Sequence, residues 1–156
     1  MEKQFDIALQ NRKVLSSILK RTPKEILVRI PKGFRNNLWW NIAHVVATQQ
    51  ILLYRWSGLP TRIDEKWVDR YKKGTVPNGG FDEDDFDLLV QNLINTAKWA
   101  KEDYQNGLFK EYEEYTTSVK VTLSAVEDAI NFNNYHEGIH LGVILSQLKA
   151  LGVSVF

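Results

Sequence analysis

Apolar positions along the chain fall into four long stretches with helical spacing, separated by polar and glycine-containing connections. The first runs from about Lys3 to Lys20, where Phe5, Ala8, Leu9, Leu15, Ile18 and Leu19 recur on one side. Thr22-Pro-Lys-Glu25 then has the form of a capping box with proline at the first helical position, which predicts a short helix before Pro31. The second long stretch starts after Asn36 or Asn37 and ends near Gly58, a residue suited to the left-handed C′ position and followed closely by Pro60. The third begins in Asp82-Glu-Asp-Asp85, acids placed against the positive end of the helix dipole, and carries Phe86, Val90, Leu93, Ala97, Ala100 and Tyr104 as far as Gly107. Residues 108–122, with Tyr112, Tyr115, Thr116, Thr117, Val119 and Val121, favour extended structure and predict a short hairpin or a loop. Ser124-Ala-Val-Glu127 again has the form of a capping box. It opens a last helical region reaching about Ala150, in which the adjacent Asn133 and Asn134 allow a break.

Four long helices with little strand between them predict an all-α four-helix bundle. The second and third are joined by a long connection, 59–81, containing Gly74, Pro77, Gly79 and Gly80, with room for one helical turn around Trp67 to Tyr71. A connection of that length is often a lid or a binding segment, and it does not force its two helices into antiparallel contact. No repeat, low-complexity tract or linker divides the sequence, so 1–156 reads as one domain.

Composition sharpens this picture. The 44% hydrophobic content, with five tryptophans, six tyrosines and seven phenylalanines, is enough to fill a core and excludes a disordered chain. The absence of cysteine removes disulfides, thiolate metal ligands and a cysteine nucleophile. The charged N-terminus lacks the apolar segment of a signal peptide, and the run from Asn36 to Tyr54 holds Asn, Gln and His, which suits a buried helix better than a membrane span. A cytoplasmic location without membrane attachment is the expectation. The net charge of +1 conceals an asymmetry: residues 7–63 carry ten Lys or Arg against Glu25 alone, whereas residues 64–156 carry nine bases against sixteen acids. A basic half can mark a nucleic-acid surface. No stripe here interleaves bases with exposed aromatics, so complementary helices packed side by side account for the asymmetry more simply.

The chemistry-bearing residues are the three histidines. His136 and His140 are four apart, which places them one turn apart on one helical face. His44 lies mid-way along the second helix, on a polar stripe with Asn37, Asn41 and Thr48 inside an otherwise apolar segment. Such a stripe needs partners when buried, and a metal ion would be one. Three histidines with an open position form a standard catalytic zinc arrangement; the plain alternative is a core histidine bonded to a carbonyl and a chance pair on a solvated face. Read alone, His136-Glu-Gly-Ile-His140 also matches the zincin protease signature. The sixteen residues that follow contain no Glu, Asp or His to act as the third ligand, so the protease reading fails. Glu137 lies about 100° round the helix from His136 and either flanks the site as a general base or faces solvent.

The segments Asn-Leu-Trp-Trp-Asn-Ile-Ala-His44 and His136-Glu-Gly-Ile-His140, with the Ser-Ala-Val-Glu helix start between them, resemble the DinB/YfiT-like superfamily over most of the chain. The resemblance implies a four-helix bundle of up-down-down-up course. It also implies a three-histidine site for a divalent metal such as zinc or nickel at His44, His136 and His140, with water completing the coordination. Many members read His-His-Arg-Gly-Gln at the closing motif, where this chain has Ile139-His140-Leu141-Gly142-Val143; the ligands are kept and the other polar residues are missing. Members include transferases and isomerases that use low-molecular-weight thiols, and others described as metal-dependent hydrolases. Homodimers are common among them.

Three functions compete on these readings. The first is a metal-dependent enzyme acting on a small-molecule substrate, either a thiol transferase or a hydrolase. Because the chain has no cysteine, the thiol would come from a cosubstrate. Trp40, Asn41, Thr48 and Asn133 are then the pocket candidates, with the tyrosines of 112–115 behind them and Glu137 as the only acid adjacent to a ligand. The second is a stress-response or ligand-binding module whose metal is structural or whose histidines are core residues. The third is nucleic-acid binding through the basic half.

Overall fold

The computed structural model describes residues 1–154; Val155 and Phe156, the end of the expected 1–156 domain, lie outside the described residues. The elements are α1 (Glu2–Arg21), α2 (Lys24–Leu27), α3 (Leu38–Leu53), α4 (Glu65–Tyr71), α5 (Glu83–Gln105), β1 (Tyr115–Thr116), β2 (Thr122–Leu123) and α6 (Val126–Ala150), with a 3-10 turn at Arg55–Ser57. The all-α expectation holds. The 108–122 segment contains the short hairpin, an antiparallel ladder pairing Tyr115 with Leu123 and Thr116 with Thr122.

α3 is the central element, and every one of its residues except Thr48 and Ile51 is buried. Its start is fixed by Asn37, whose side chain accepts the Trp40 backbone N–H at 2.8 Å while its amide donates to the Val28 carbonyl at 2.9 Å. Its end is fixed by Gly58, left-handed at φ 68° after the 3-10 turn. Asn41 of α3 meets His140 and Gln147 of α6, whereas Leu52 and Leu53 share a core cluster with Val126 and Ile130, so the two helices run against each other. α1 and α5 also oppose, through Glu2 with Lys101 and Arg12 with Thr96. α1 and α6 run the same way, Gln4 meeting Asn134 and Arg12 meeting Glu137. So do α3 and α5, through Gln49 with Thr96 and Tyr54 with Asp103.

Several local expectations are corrected. Thr22 does not cap a helix; its hydroxyl donates to the Ile18 carbonyl at 2.7 Å, and α2 is a single turn without a side-chain cap. Ser124 and Glu127 form no capping box either. The Ser124 backbone N–H goes to Asp128, its hydroxyl to Glu114, and Glu127 accepts from the Tyr104 hydroxyl. The reciprocal box occurs instead at Asp82 and Asp85, heading α5. α6 does not break at Asn133-Asn134, because Asn133 donates to Glu137 and Asn134 to Gln4, so neither amide competes with the helix backbone.

The 59–81 connection is packed down rather than loose. Trp67, Val68, Tyr71 and Phe81 are buried, Phe81 stacks on Trp39 with ring centroids 3.8 Å apart, and the Trp39 indole donates to the Tyr71 hydroxyl at 3.0 Å. Arg55 and Arg62 of the basic half pair with Glu65, Asp69 and Asp103 of the acidic half. Among the described residues no helix is long and apolar enough to cross a membrane.

Candidate metal centre

Helical periodicity delivers His136 and His140 from one face of α6, and the antiparallel packing of α3 sets His44 opposite them. The three offer ligand nitrogens that all lie within 4.8 Å of one another, and their ring centroids are 4.5–5.2 Å apart. Nitrogens about 2.1 Å from one tetrahedral ion stand roughly 3.4 Å apart, so a modest rotation of the side chains brings this set onto a common ion.

Two of the rings are already oriented from behind. His44 Nδ1 lies 2.6 Å from the Tyr71 carbonyl oxygen, an acceptor only, so Nδ1 carries the proton and Nε2 keeps its lone pair. The ring is also stacked on Trp40, centroids 4.5 Å apart, and Trp40 is held by an indole bond to the Thr75 hydroxyl at 3.1 Å. His140 Nδ1 lies 2.8 Å from Asn41 Oδ1. The orientation of the Asn41 amide is set by its own surroundings: its nitrogen faces Asn36 Oδ1, the Asn37 carbonyl and Gln147 Oε1, all acceptors. The oxygen therefore faces His140, which must donate from Nδ1 and keep Nε2 free. Outer partners of this kind fix tautomer and ring angle in metal sites. His136 differs: its Nδ1 is buried and meets no hydrogen-bond partner among the described residues. A buried polar atom left this way is costly unless another group completes it, and a cation beside the three rings is such a group.

The rings are poised to be neutral. Burial lowers the pKa of His44, and the bond to the Tyr71 carbonyl only partly opposes this. Burial, followed by the positive charge that His44 would carry, pushes His140 down to about 4. His136 is also lowered, by burial first and then by His140, His44 and Arg12. Neutral imidazoles with free lone pairs are what a divalent ion requires of its ligands.

The histidines open on a cavity of about 400 Å³. Its walls come from α3 (Thr48, Ile51, Leu52), the 3-10 turn (Trp56), the hairpin (Tyr115, Thr117, Ser118, Val119), α6 (Phe132, Tyr135, Ile139) and Lys73. Thr48 and Ile51, the two residues of α3 that are not buried, both face this space. Of the four pocket residues expected from sequence, Thr48 lines the cavity, with its hydroxyl 3.3 Å from His44 Nε2. Trp40 and Asn41 stand behind His44 and His140 instead, and the weaker tyrosine candidate Tyr115 is on the wall. Asn133 is elsewhere: it is buried and bonded to Glu137 at 2.7 Å.

The general-base reading of Glu137 is corrected by the same geometry. Its carboxylate is 1% exposed and accepts from Arg12 Nε and Nη2, from Asn11 and from Asn133 at 2.7–3.0 Å. It faces α1, away from the cavity, as the 100° step from His136 allows. Sequence reasoning missed this pair, yet a signal was present: Arg12 interrupts the stripe Phe5, Ala8, Leu15, Leu19, and a cation on an apolar face needs a buried anion. It also missed Trp56, Phe132 and Tyr135, which read as ordinary apolar positions.

Fold and site together define a helical protein in which two helices bring three histidines to within reach of one cation. The chain belongs to the DinB superfamily, whose family model matches residues 8–144 and so spans all three histidines. No curated protein matches the chain significantly.

Proposed function

We propose that the protein is a metal-dependent enzyme of the DinB superfamily, in a four-helix bundle of up-down-down-up course, and that it transfers a small thiol to an electrophilic substrate. The course is supported by the pairings of α1 with α5 and of α3 with α6 in opposite directions, and of α1 with α6 and of α3 with α5 in the same direction. The reading of the site rests on one observation above the others: three neutral histidines, two of them held by outer partners, converge at the end of an apolar cavity.

A divalent ion bound by His44, His136 and His140 would act as a Lewis acid that brings the pKa of a coordinated water or thiol toward neutrality. The protein's own residues favour the thiol. Among the described residues no Asp or Glu is on the cavity wall, and Glu137 is taken up by Arg12, so no side-chain carboxylate is placed to deprotonate water. A free thiol, with a pKa of about 8.5, needs far less help than water. With no cysteine in the chain, the thiol comes from a cosubstrate. In the reaction a new carbon–sulfur bond forms as the leaving group departs with its electron pair, and the thiol proton passes to solvent. The walls Ile51, Leu52 and Phe132 exclude water from the electrophile.

The test has two parts. Elemental analysis is expected to find one divalent ion per chain, lost in His44→Ala and His136→Ala. The metal-loaded protein is then expected to consume a small thiol in the presence of an electrophile such as an alkyl halide, and both variants to fail. Stoichiometric metal without thiol consumption would leave a structural or ligand-binding role. No metal after reconstitution with zinc and nickel would remove the enzyme reading.

A further inference from the structure

Among the described residues Lys73 is the only charged side chain on the cavity wall apart from what the histidines can carry, and it takes part in none of their ion pairs. Its position is built. The Thr75 backbone N–H bonds the Lys72 carbonyl at 3.2 Å and Gly74 has φ 89°, which is a four-residue turn with Lys73 at its second position and a left-handed glycine at its third. Both flanks of the turn are tied to the metal-site side of α3. Two residues earlier, the Tyr71 carbonyl holds His44 at 2.6 Å; two residues later, the Thr75 hydroxyl holds the Trp40 indole at 3.1 Å, and Trp40 lies on His44. The backbone of Lys73 is thus anchored beside His44 and Trp40, and its side chain lines the cavity. Apart from the hydroxyls of Thr48, Thr117 and Ser118 and the histidines, the rest of the wall is apolar and aromatic. Trp56 stacks with Tyr115, centroids 4.6 Å apart, and Phe132 sits beside Tyr135 at 5.6 Å.

We propose that the site selects a substrate joining an apolar body of aromatic size to an anionic group, and that Lys73 is the residue that takes the anion. This rests on the small-molecule site proposed above. The volume falls within the range of ligand pockets, about 300–1,000 Å³. A cationic ligand would meet Lys73 and a bound divalent ion with no carboxylate on the wall to offset them. A neutral apolar ligand would make no use of the lysine. An anion satisfies it by a charge-assisted hydrogen bond, and the aromatic walls take the remainder.

Calorimetric titration of the zinc-loaded protein with three probes tests this: 3-phenylpropionate, its neutral isostere 3-phenylpropanamide, and propionate. The phenyl acid is expected to bind about tenfold or more tightly than either of the others. Lys73→Met should remove the preference for acid over amide while leaving amide binding and zinc content unchanged, and Lys73→Arg should restore it. Lys73 is exposed, so neither variant threatens the fold. An acid preference that survives in Lys73→Met would overturn the assignment, because the charge would then be held elsewhere. Equal binding of propionate and phenylpropionate would overturn the apolar-body half, and no binding of any probe to zinc-loaded protein would overturn both. The two proposals fail separately. If the protein takes up no zinc yet keeps a Lys73-dependent preference, the metal reading falls and the anion site stands; stoichiometric zinc with no such preference gives the reverse.

Discussion

A buried carboxylate and a half-buried imidazole sit one residue apart on α6 and have opposite characters. Glu137 is closed: every hydrogen bond it accepts comes from a donor fixed by packing, and Arg12, itself fully buried, is bonded in turn to Thr96 and the Val45 carbonyl. This pair stitches α1, α3, α5 and α6 together. His136 is open: its Nδ1 has no partner among the described residues, its ring neighbours are two more histidines, and it borders the cavity. Satisfied buried polar groups hold a fold together, whereas unsatisfied ones at a cavity await a ligand. The difference divides the HEGIH segment into a structural residue and two that could hold a metal ion, although the protease-like pattern lumps all three together.

The largest effect should come from opening the closed group. Glu137→Ala leaves the Arg12 guanidinium buried without its anion, which costs about 3–5 kcal/mol. Urea denaturation of the metal-free variant reads this directly, and a loss below about 1 kcal/mol would show that the pair is not the clamp described here. Replacing both partners with apolar residues, Arg12→Met with Glu137→Leu, should cost less than Glu137→Ala alone, because no charge is then stranded. In the open group the expected pattern is reversed. His140→Ala should abolish stoichiometric zinc binding while changing the stability of the metal-free protein by much less than Glu137→Ala does. Equal destabilisation of the metal-free protein by both would erase the contrast.

Much of this was legible from residue types. Asn37, Gly58, Asp82 and Gly107 mark helix ends because each does something only a few residue types can do, and the structure uses them at those places. The clustering of His44, His136 and His140 was legible because helical spacing fixes faces and the family fixes which helices meet. What stayed hidden depends on atoms without a residue-type signature. The partner of His44 is a main-chain carbonyl, which any residue at position 71 would supply. Lys73 reads as one more loop lysine until the fold sets it on the cavity wall. The sequence left Glu137 open between flanking the site and facing solvent, because neither its neighbours nor the 100° step reveals that Arg12 of α1 lies buried against it. The Thr22 and Ser124 capping boxes failed for a related reason: the hydroxyls and acids found tertiary partners that a local motif does not contain.

A smaller effect should follow from loosening the ring that Asn41 orients. Asn41→Leu removes the acceptor for His140 Nδ1 and leaves all three ligands in place. Outer-partner changes of this kind typically cost about 10- to 100-fold in metal affinity. Competition titration with a zinc chelator should find that loss with stoichiometry still one. An affinity equal to wild type would mean that His140 is held by packing alone. Asn41 also bridges to Asn36 and Gln147, so a urea curve should accompany the titration to separate local loosening from a change of fold.

The smallest expected effect is on pH dependence, and it separates the two groups without mutating the closed one. In the metal-free protein the histidine pKa values are lowered, His140 to about 4. The unfolded chain, with histidine pKa values near 6.5, therefore binds more protons than the folded chain once pH falls below that value. Stability should be level above about pH 7 and decline as pH drops from 6.5 toward 4. Each histidine that protonates only on unfolding contributes a limiting slope of about 1.4 kcal/mol per pH unit. Between pH 6.5 and 5, where most carboxylates stay ionised, the decline should become shallower in His140→Gln and shallower still in the triple variant His44→Gln, His136→Gln, His140→Gln. An unchanged slope in the triple variant would place the pH sensitivity outside the histidine cluster. Zinc should raise the wild-type curve without changing its slope in this window, because the folded histidines carry no proton there whether or not the ion is bound.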